Sequence, residues 1–280
     1  MSGRIQTPGR EIHLEPRLKQ VAEYVPTGAR LADIGTDHAY LPIYLTKQGR
    51  IHKAVAVDVH AGPYQAARLS VAAHGLRDSI DVRLGDGLQV IQPGEVDVLT
   101  LAGMGGVKIL EILNAEPAGL RTISRLIVQP QGGVGRVRAE LCRSGWKIWR
   151  ECLVEEEGRI YTVIAFTWQN GWSEADIGRE VEYWRKLWRP QWACGAETAR
   201  EREQRILAGI IWRMGPLILR QGDPCLDQVL AKRIEQCSRQ VQGLDQARVA
   251  QTAGKAAEVR LEIGMLRARR AALGAETNNI

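Results

Sequence analysis

The apolar positions change period several times along the chain, and each change marks an element. Leu18, Val21, Ala22 and Val25 recur at helical spacing from Leu14 onward, and the Pro-Thr-Gly of residues 26–28 ends that helix. Residues 1–13 read as a loose leader. A buried strand is expected over 30–35 and a helix over 39–48. The alternation continues with strands over 54–58, 80–84, 96–102 and 124–129. Helices are expected over 63–74, around Ile109, Leu110 and Leu113, and over 137–143. Pro63 suits the first turn of its helix, where a missing N–H costs little. Two more strands, 147–154 and 159–167, are joined by a hairpin-like turn at 155–158. Alternating strand and helix predicts an α/β domain, a parallel sheet with helices on both faces. The closing pair adds an antiparallel member at its edge.

Beyond residue 167 the rhythm breaks. Residues 168–215 carry Trp168, Trp172, Trp184, Trp188, Trp192 and Trp212 among Arg185, Lys186, Arg189, Arg200, Arg202 and Arg205. Two readings are open. Val181, Trp184 and Trp188 fall at helical spacing and would pack inward on an amphipathic helix. Alternatively, aromatic and cationic side chains are offered to unpaired bases. From Leu226, Leu230, Ile234, Cys237, Val241 and Leu244 alternate spacings of four and three. Ala256, Val259, Ile263 and Leu266 do the same after an expected break at 250–254. That is the pattern of a C-terminal α-helical coiled-coil hairpin, with Arg260, Arg267, Arg269 and Arg270 mostly off its apolar stripe and residues 277–280 a frayed end. The expected domains are 14–168, a Trp-rich helical insertion or linker at 169–225, and the hairpin at 226–275.

At 280 residues the chain has room for one full core and a smaller second unit. No run reaches the length of a membrane-spanning helix, and the leader lacks the apolar core of a signal peptide. A cytoplasmic protein without membrane contact is the expectation. Five cysteines, Cys142, Cys152, Cys194, Cys225 and Cys237, are an odd number with no Cys-x-x-Cys pair. They argue against a disulfide framework or a zinc site. A net charge of +6 suits a polyanionic partner without proving one.

The candidate chemistry gathers at strand ends. The stretch 31–45, Leu-Ala-Asp-Ile-Gly-Thr-Asp-His-Ala-Tyr-Leu-Pro-Ile-Tyr-Leu, puts Asp33, Asp37, His38 and Tyr40 around one strand-to-helix turn. It lacks Gly-x-Gly-x-x-Gly: only Gly35 is present, and Asp37 and Ala39 stand where further glycines would admit a pyrophosphate. An extra carboxylate repels phosphates but favours a ligand bearing an ammonium and a sulfonium, as S-adenosylmethionine does. Asp37 could instead serve only as a helix cap. Asp58 closes the second strand, where a carboxylate can accept from ribose hydroxyls, and Asp86, between Gly85 and Gly87, is placed to meet an adenine amino group. Thr36, Val59 and Ala102 complete the expected cofactor lining. Gly103, Met104, Gly105 and Gly106 end the fourth strand, where glycines let a flat base approach and Met104 can pack on it. No Asn/Asp-Pro-Pro-Tyr/Phe string stands there, which points away from the N6 of adenine. No Ser-His-Asp set, metal cluster or P-loop occurs.

These strings resemble a family. Ala-Asp-Ile-Gly-Thr-Asp-His-Ala-Tyr-Leu-Pro (32–42), Asp58 with Gly-Pro-Tyr (62–64), Gly-Asp-Gly-Leu (85–88), Ala-Gly-Met-Gly-Gly (102–106) and Gln-Pro (129–130) are similar to the bacterial tRNA (adenine-N1)-methyltransferases that modify position 22, the TrmK family. The likeness runs from about Leu14 to Thr167. It implies a Rossmann-like class I methyltransferase fold, a seven-stranded sheet with an antiparallel edge strand followed by the helical hairpin. It further implies S-adenosyl-L-methionine as cofactor, tRNA as partner and no metal; the hairpin, able to pair with itself, suggests a monomer. By the same resemblance Asp33 and Asp37 hold the methionine end, Asp58 the ribose and Asp86 the adenine. His38, Tyr40, Gly103, Met104 and Gly105 then border the target base. The alternatives are a class I methyltransferase acting on another RNA or a small molecule, a non-catalytic RNA-binding protein of this fold, and a nicotinamide-dependent oxidoreductase, which the missing glycines disfavour.

Overall fold

The computed structural model describes residues 12–188, 197–247 and 250–277. The expectations placed on residues 1–11, Trp192, Cys194 and 278–280 lie outside that range. Contacts divide the chain into two units, Met1–Gly171 and Trp172–Ile280.

The first unit runs α1 (Pro16–Tyr24), β1 (Ala29–Ile34), α2 (Tyr40–Lys47), β2 (Ile51–Asp58), α3 (Ala61–Ala73), β3 (Ile80–Leu84), β4 (Val98–Met104), α4 (Gly106–Ala115), β5 (Arg125–Pro130), α5 (Val134–Arg143), β6 (Lys147–Glu156) and β7 (Arg159–Thr167). Seven strands form one sheet in the order β3-β2-β1-β4-β5-β7-β6. The first five are parallel, and the apolar runs of β1 and β4 are buried on both faces, as parallel strands between helices must be. Leu31, Ile43, Ile51, Val98 and Ile127 belong to the core that results.

One expectation needs correction. The antiparallel strand is β7, which pairs with both β5 and β6; the outermost strand is β6, running in the sense of the first five. The chain leaves β5 through α5, passes over one position, and returns through a tight hairpin to fill it. Glu157 and Gly158 turn that hairpin with φ of 50° and 70°, the positive pair that a two-residue turn between twisted strands requires. As the spacing of the expected elements has it, β3 has no helix behind it, and four strand–helix units precede the hairpin. The connection 85–97 is instead clamped locally: Arg83 binds Glu95 and the carbonyl of Val90, and Gly85 and Gly87 press against Val90 and Ile112.

The second unit is helical: α6 (Ile177–Trp188), α7 (Glu197–Met214), α8 (Pro216–Gln221), α9 (Leu226–Gln246) and α10 (Ala250–Thr277). The inward reading of the tryptophans holds for α6. Val181, Trp184 and Trp188 are buried, and the Trp184 indole donates to Glu180 at 2.8 Å. Tyr183 and Leu187 take the exposed face. The expected break at 250–254 is not there, because α10 already begins at Ala250 and carries Gly254 inside it, a local cost of about 1 kcal/mol that a long helix absorbs. α9 and α10 are antiparallel: Arg260 binds Asp245 beside their connection and Arg270 binds Asp227 far from it. Cys237, Val259 and Ile263 form the seam, flanked by Ile234, Val241 and Leu244. One arginine does not belong to a solvated face. Arg269 is 1% exposed, donates to the Leu219 carbonyl at 2.9 and 3.2 Å, and lies against the Trp184 ring.

Candidate active site

The strand order reverses between β1 and β4, and in such sheets ligands bind outside the carboxyl ends of the strands at that point. The turn leaving β1 is strained. Gly35, Asp37 and Ala39 have φ of 73°, 53° and 57°, and a buried alanine in the left-handed region persists only where its surroundings enforce it. The enforcement is visible. The N–H groups of Gly35 and Thr36 both donate to the Val57 carbonyl of β2, at 2.9 and 3.1 Å.

Asp33 lies beneath this turn, 6% exposed. Its two oxygens each accept a hydroxyl at 2.7 Å, one from Thr36 and one from Thr100 of β4. Burial pushes its carboxyl above the ordinary range; the two hydroxyls pull it down, and the nearby Asp58 adds to the rise. Asp58 bridges two turns, accepting the His60 N–H at 2.9 Å and the Asp37 N–H at 3.3 Å. Asp37 itself points outward, with its carboxylate 3.7 Å from His38 Nε2, and the rings of His38 and Tyr40 stack at 5.1 Å. Beyond Asp58, Val59 and Leu84 are half-exposed apolar side chains at the ends of β2 and β3, and Asp86 is exposed after them. Acids at the strand ends beside exposed apolar side chains suit a nucleoside with a cationic tail. Gly85 and Gly87 also sit where the fold leaves no room for a side chain. A Cβ on either would collide, 2.2 Å from Val90 Cγ1 or 2.9 Å from Ile112 Cγ2.

On the other side of the switch point, β4 bulges between Ala102 and Met104 so that Gly103 adopts φ 77° and its N–H turns to the Gln129 side chain at 3.0 Å. A Cβ on Gly35 would sit 2.8 Å from Met104 Cε, so the two turns touch. The glycines of 103–106 divide their work. Gly105 faces open space, and a Cβ on Gly103 would make only ordinary contacts with Arg17 Nη1 and Gln131 Nε2, whereas Gly106 is packed under 132–133, where a Cβ would meet the Gly132 carbonyl at 2.5 Å.

The structure therefore brings Asp33, Gly35, Thr36, Asp37, His38, Tyr40, Asp58, Val59, Asp86, Gly103, Met104 and Gly105 to the carboxyl edge of one sheet. Arg17, Gln131, Glu156 and Tyr161 border the same edge, and no sequence expectation named them. Arg17 donates to Gln129 Oε1 at 2.7 Å and to Glu156, and its guanidinium lies over Tyr161. Only the Gln-Pro string at 129–130 pointed to that side. Among the described residues, no group of three or more His, Cys, Asp or Glu could hold a metal ion, and no helix is long and apolar enough to cross a membrane.

Comparison with known proteins places this geometry. A family described as a methyltransferase domain matches residues 14–164. The tRNA (adenine(22)-N(1))-methyltransferase of Bacillus subtilis (strain 168) is 43% identical over 154 residues, 55% of this chain and 65% of that protein. The chain thus aligns with just under two thirds of that relative's length. The crystal structure of the B. subtilis m1A22 tRNA methyltransferase TrmK matches with a TM-score of 0.74 at 29% identity, over 93% of this chain and 100% of that one. The structure of M. capricolum TrmK in complex with S-adenosyl-homocysteine matches with a TM-score of 0.53 at 26% identity, over 72% of this chain and 98% of that one.

Proposed function

Since the chain belongs to the methyltransferase-domain family, we propose that it methylates N1 of the adenine at position 22 of bacterial tRNA with S-adenosyl-L-methionine as donor. The observation that carries this reading is the contact of the two turns, an acid-rich one after β1 and a glycine-opened one after β4, with Gly35 against Met104 between them. The names of the B. subtilis and M. capricolum relatives support the same substrate and cofactor.

Bound S-adenosyl-L-methionine supplies a methyl group on a sulfonium. Asp37 faces the methionine end, and Asp33 serves it from beneath by fixing Thr36. Asp58 orders the turn through the Asp37 and His60 N–H groups and keeps lone pairs for the ribose hydroxyls. Val59 and Leu84 flank the adenine, with Asp86 at its amino edge. The open face of Gly103 and Gly105, with Met104, His38 and Tyr40, receives the target base. Adenine N1 has a free lone pair at neutral pH, so no side chain has to remove a proton first. The work left to the protein is orientation and a negative potential that follows the positive charge from sulfur to base. In a duplex N1 is paired, so the base must be met unpaired or drawn out of the stack. The filled seam between α9 and α10 supports action as a monomer, and a tRNA substrate supports a cytoplasmic site of action.

The test is methyl transfer from labelled S-adenosyl-L-methionine to unmodified tRNA, mapped by primer-extension arrest. Arrest at adenine 22, lost when that base is replaced, is the expected result. Cofactor binding without arrest on any tRNA would overturn the choice of substrate and leave the family assignment standing.

A further inference from the structure

The space in front of Gly103 carries more hydrogen-bond donors than the fold consumes. Gln129 is fully buried. Its Oε1 accepts from the Gly103 N–H at 3.0 Å and from Arg17 Nη1 at 2.7 Å, and its Nε2 donates to the Pro130 carbonyl at 3.2 Å. Glu156, the last residue of β6, accepts the Arg17 backbone N–H at 2.9 Å and its Nε at 3.4 Å. The guanidinium carbon lies 5.5 Å from the Tyr161 ring centre. Arg17 is therefore held in one orientation by groups 112 and 139 residues away in the sequence. Holding it uses two of its five side-chain N–H donors. Among the described residues no acceptor meets Nη2 or the second N–H of Nη1. Nor is that end of the side chain remote from the site: a Cβ on Gly103 would lie 3.8 Å from Arg17 Nη1 and 3.9 Å from Gln131 Nε2. A guanidinium and a carboxamide converge on one spot in front of Gly103, beside the expected position of the target base.

We propose that Arg17, assisted by Gln131, binds a phosphate of the nucleotide being methylated. The inference rests on the tRNA reading above and adds to it the contact that seats the target nucleotide. The guanidinium offers only donors and the carboxamide can add another, so the partner must be rich in acceptors. A guanidinium fork with its Nε edge already tied to a carboxylate and its Nη end open matches the oxygens of a phosphate. A base edge fits less well, because the methylated adenine gains a positive charge that an adjacent arginine would oppose.

The competing explanation is structural: Arg17 would only steady Gln129 and the Gly103 turn. Arg17→Gln, Arg17→Lys and Gln131→Ala separate the two. Affinity for unmodified tRNA is measured by fluorescence anisotropy across a salt series. KM and kcat for tRNA, the Kd for S-adenosyl-L-methionine and the thermal midpoint are measured alongside. Arg17→Gln is expected to weaken tRNA binding and raise KM by about tenfold. Its log–log salt slope should become shallower by about 0.7 to 0.9, one phosphate contact. Cofactor Kd should stay within about twofold on the same grounds, since the charge lost faces the RNA. Arg17→Lys should restore the slope but not the full affinity, and Gln131→Ala should weaken binding with the slope unchanged.

An unchanged slope in Arg17→Gln, with a fall in kcat or in cofactor affinity, would overturn the assignment in favour of the structural role. Weaker binding with an unchanged slope would overturn it in favour of a base contact. A wild-type protein that binds tRNA but leaves adenine 22 unmethylated would refute the reading of the reaction. The slope comparison would still decide Arg17.

Discussion

Gly35 and Met104 meet across the switch point of the sheet: a Cβ on Gly35 would stand 2.8 Å from Met104 Cε. They lie 69 positions apart, one after β1 and one at the end of β4, and the pairing of those strands brings them together. The glycine has φ 73°, so both its conformation and its lack of a side chain are in use. The turn after β1 and the turn after β4 are thus a single packed object, in which a change to one is felt by the other.

Gly35→Ala tests that coupling, with Gly49→Ala as its control. Gly49 has φ 66° but open space where a Cβ would go, so both variants incur the same left-handed backbone cost of about 1–2 kcal/mol. Only Gly35→Ala also displaces Met104. Both should lose stability in urea unfolding, and only Gly35→Ala should lose affinity for S-adenosyl-L-methionine by about tenfold or more in calorimetric titration, the scale of one lost 1.4 kcal/mol contact. Equal cofactor affinities in the two variants would separate the turn from the ligand.

Asp58→Asn removes a carboxylate that accepts two backbone N–H groups from two different turns. Hydrogen bonds to a charged group contribute about 1.5–3 kcal/mol, and an amide keeps part of that. The expected outcome is a loss of about 1–2 kcal/mol in stability and at least tenfold weaker cofactor binding, with methyl transfer recovering at saturating cofactor. A loss of kcat that saturating cofactor does not relieve would assign Asp58 to the transfer step instead.

Asp33 carries a pH signature. Burial raises its carboxyl in the folded protein, so the native chain holds this proton more tightly than the unfolded chain. The stability tied to that proton is complete below the ordinary carboxylate pKa of about 3.9 and is lost as pH rises through the raised value. Asp33→Asn cannot ionise and escapes the loss. Urea unfolding from pH 4 to pH 8 should therefore show the stability difference moving in favour of the variant as pH rises. A difference independent of pH would mean that Asp33 ionises no less readily when folded.

The buried pair of Arg138 in α5 and Glu151 in β6 predicts an asymmetry. The two side chains are 0% exposed and 2.7 Å apart. Arg138→Met takes the guanidinium of this pair away from a buried carboxylate and should cost about 3–5 kcal/mol in urea unfolding. The double variant Arg138→Met, Glu151→Leu should recover most of that. If single and double variants lose the same stability, the pair is not the source of the cost.

Most of the candidate site is legible in the sequence because the signals there are local. Asp33, Gly35, Asp58, Asp86 and Gly103 each punctuate an apolar run, and a parallel sheet brings the ends of its strands together whatever their sequence separation. The sequence misjudges elements whose state depends on distant partners. Arg269 is expected off the apolar stripe, yet it is buried because the Leu219 carbonyl and the Trp184 ring satisfy it. Gly254 looked like a break, yet it is carried inside a helix packed along its neighbour.

What the sequence by itself determined is the succession of elements, their periods, and the acids and glycines at their ends. All of these follow from interactions within a few residues along the chain. Only the tertiary structure decided the strand order, the place of β7 between β5 and β6, and the meeting of Arg17 with Gln129 and Glu156. Periodicity records which face of an element is buried. The partner that buries it is chosen by sheet order and crossover geometry, to which local spacing is blind.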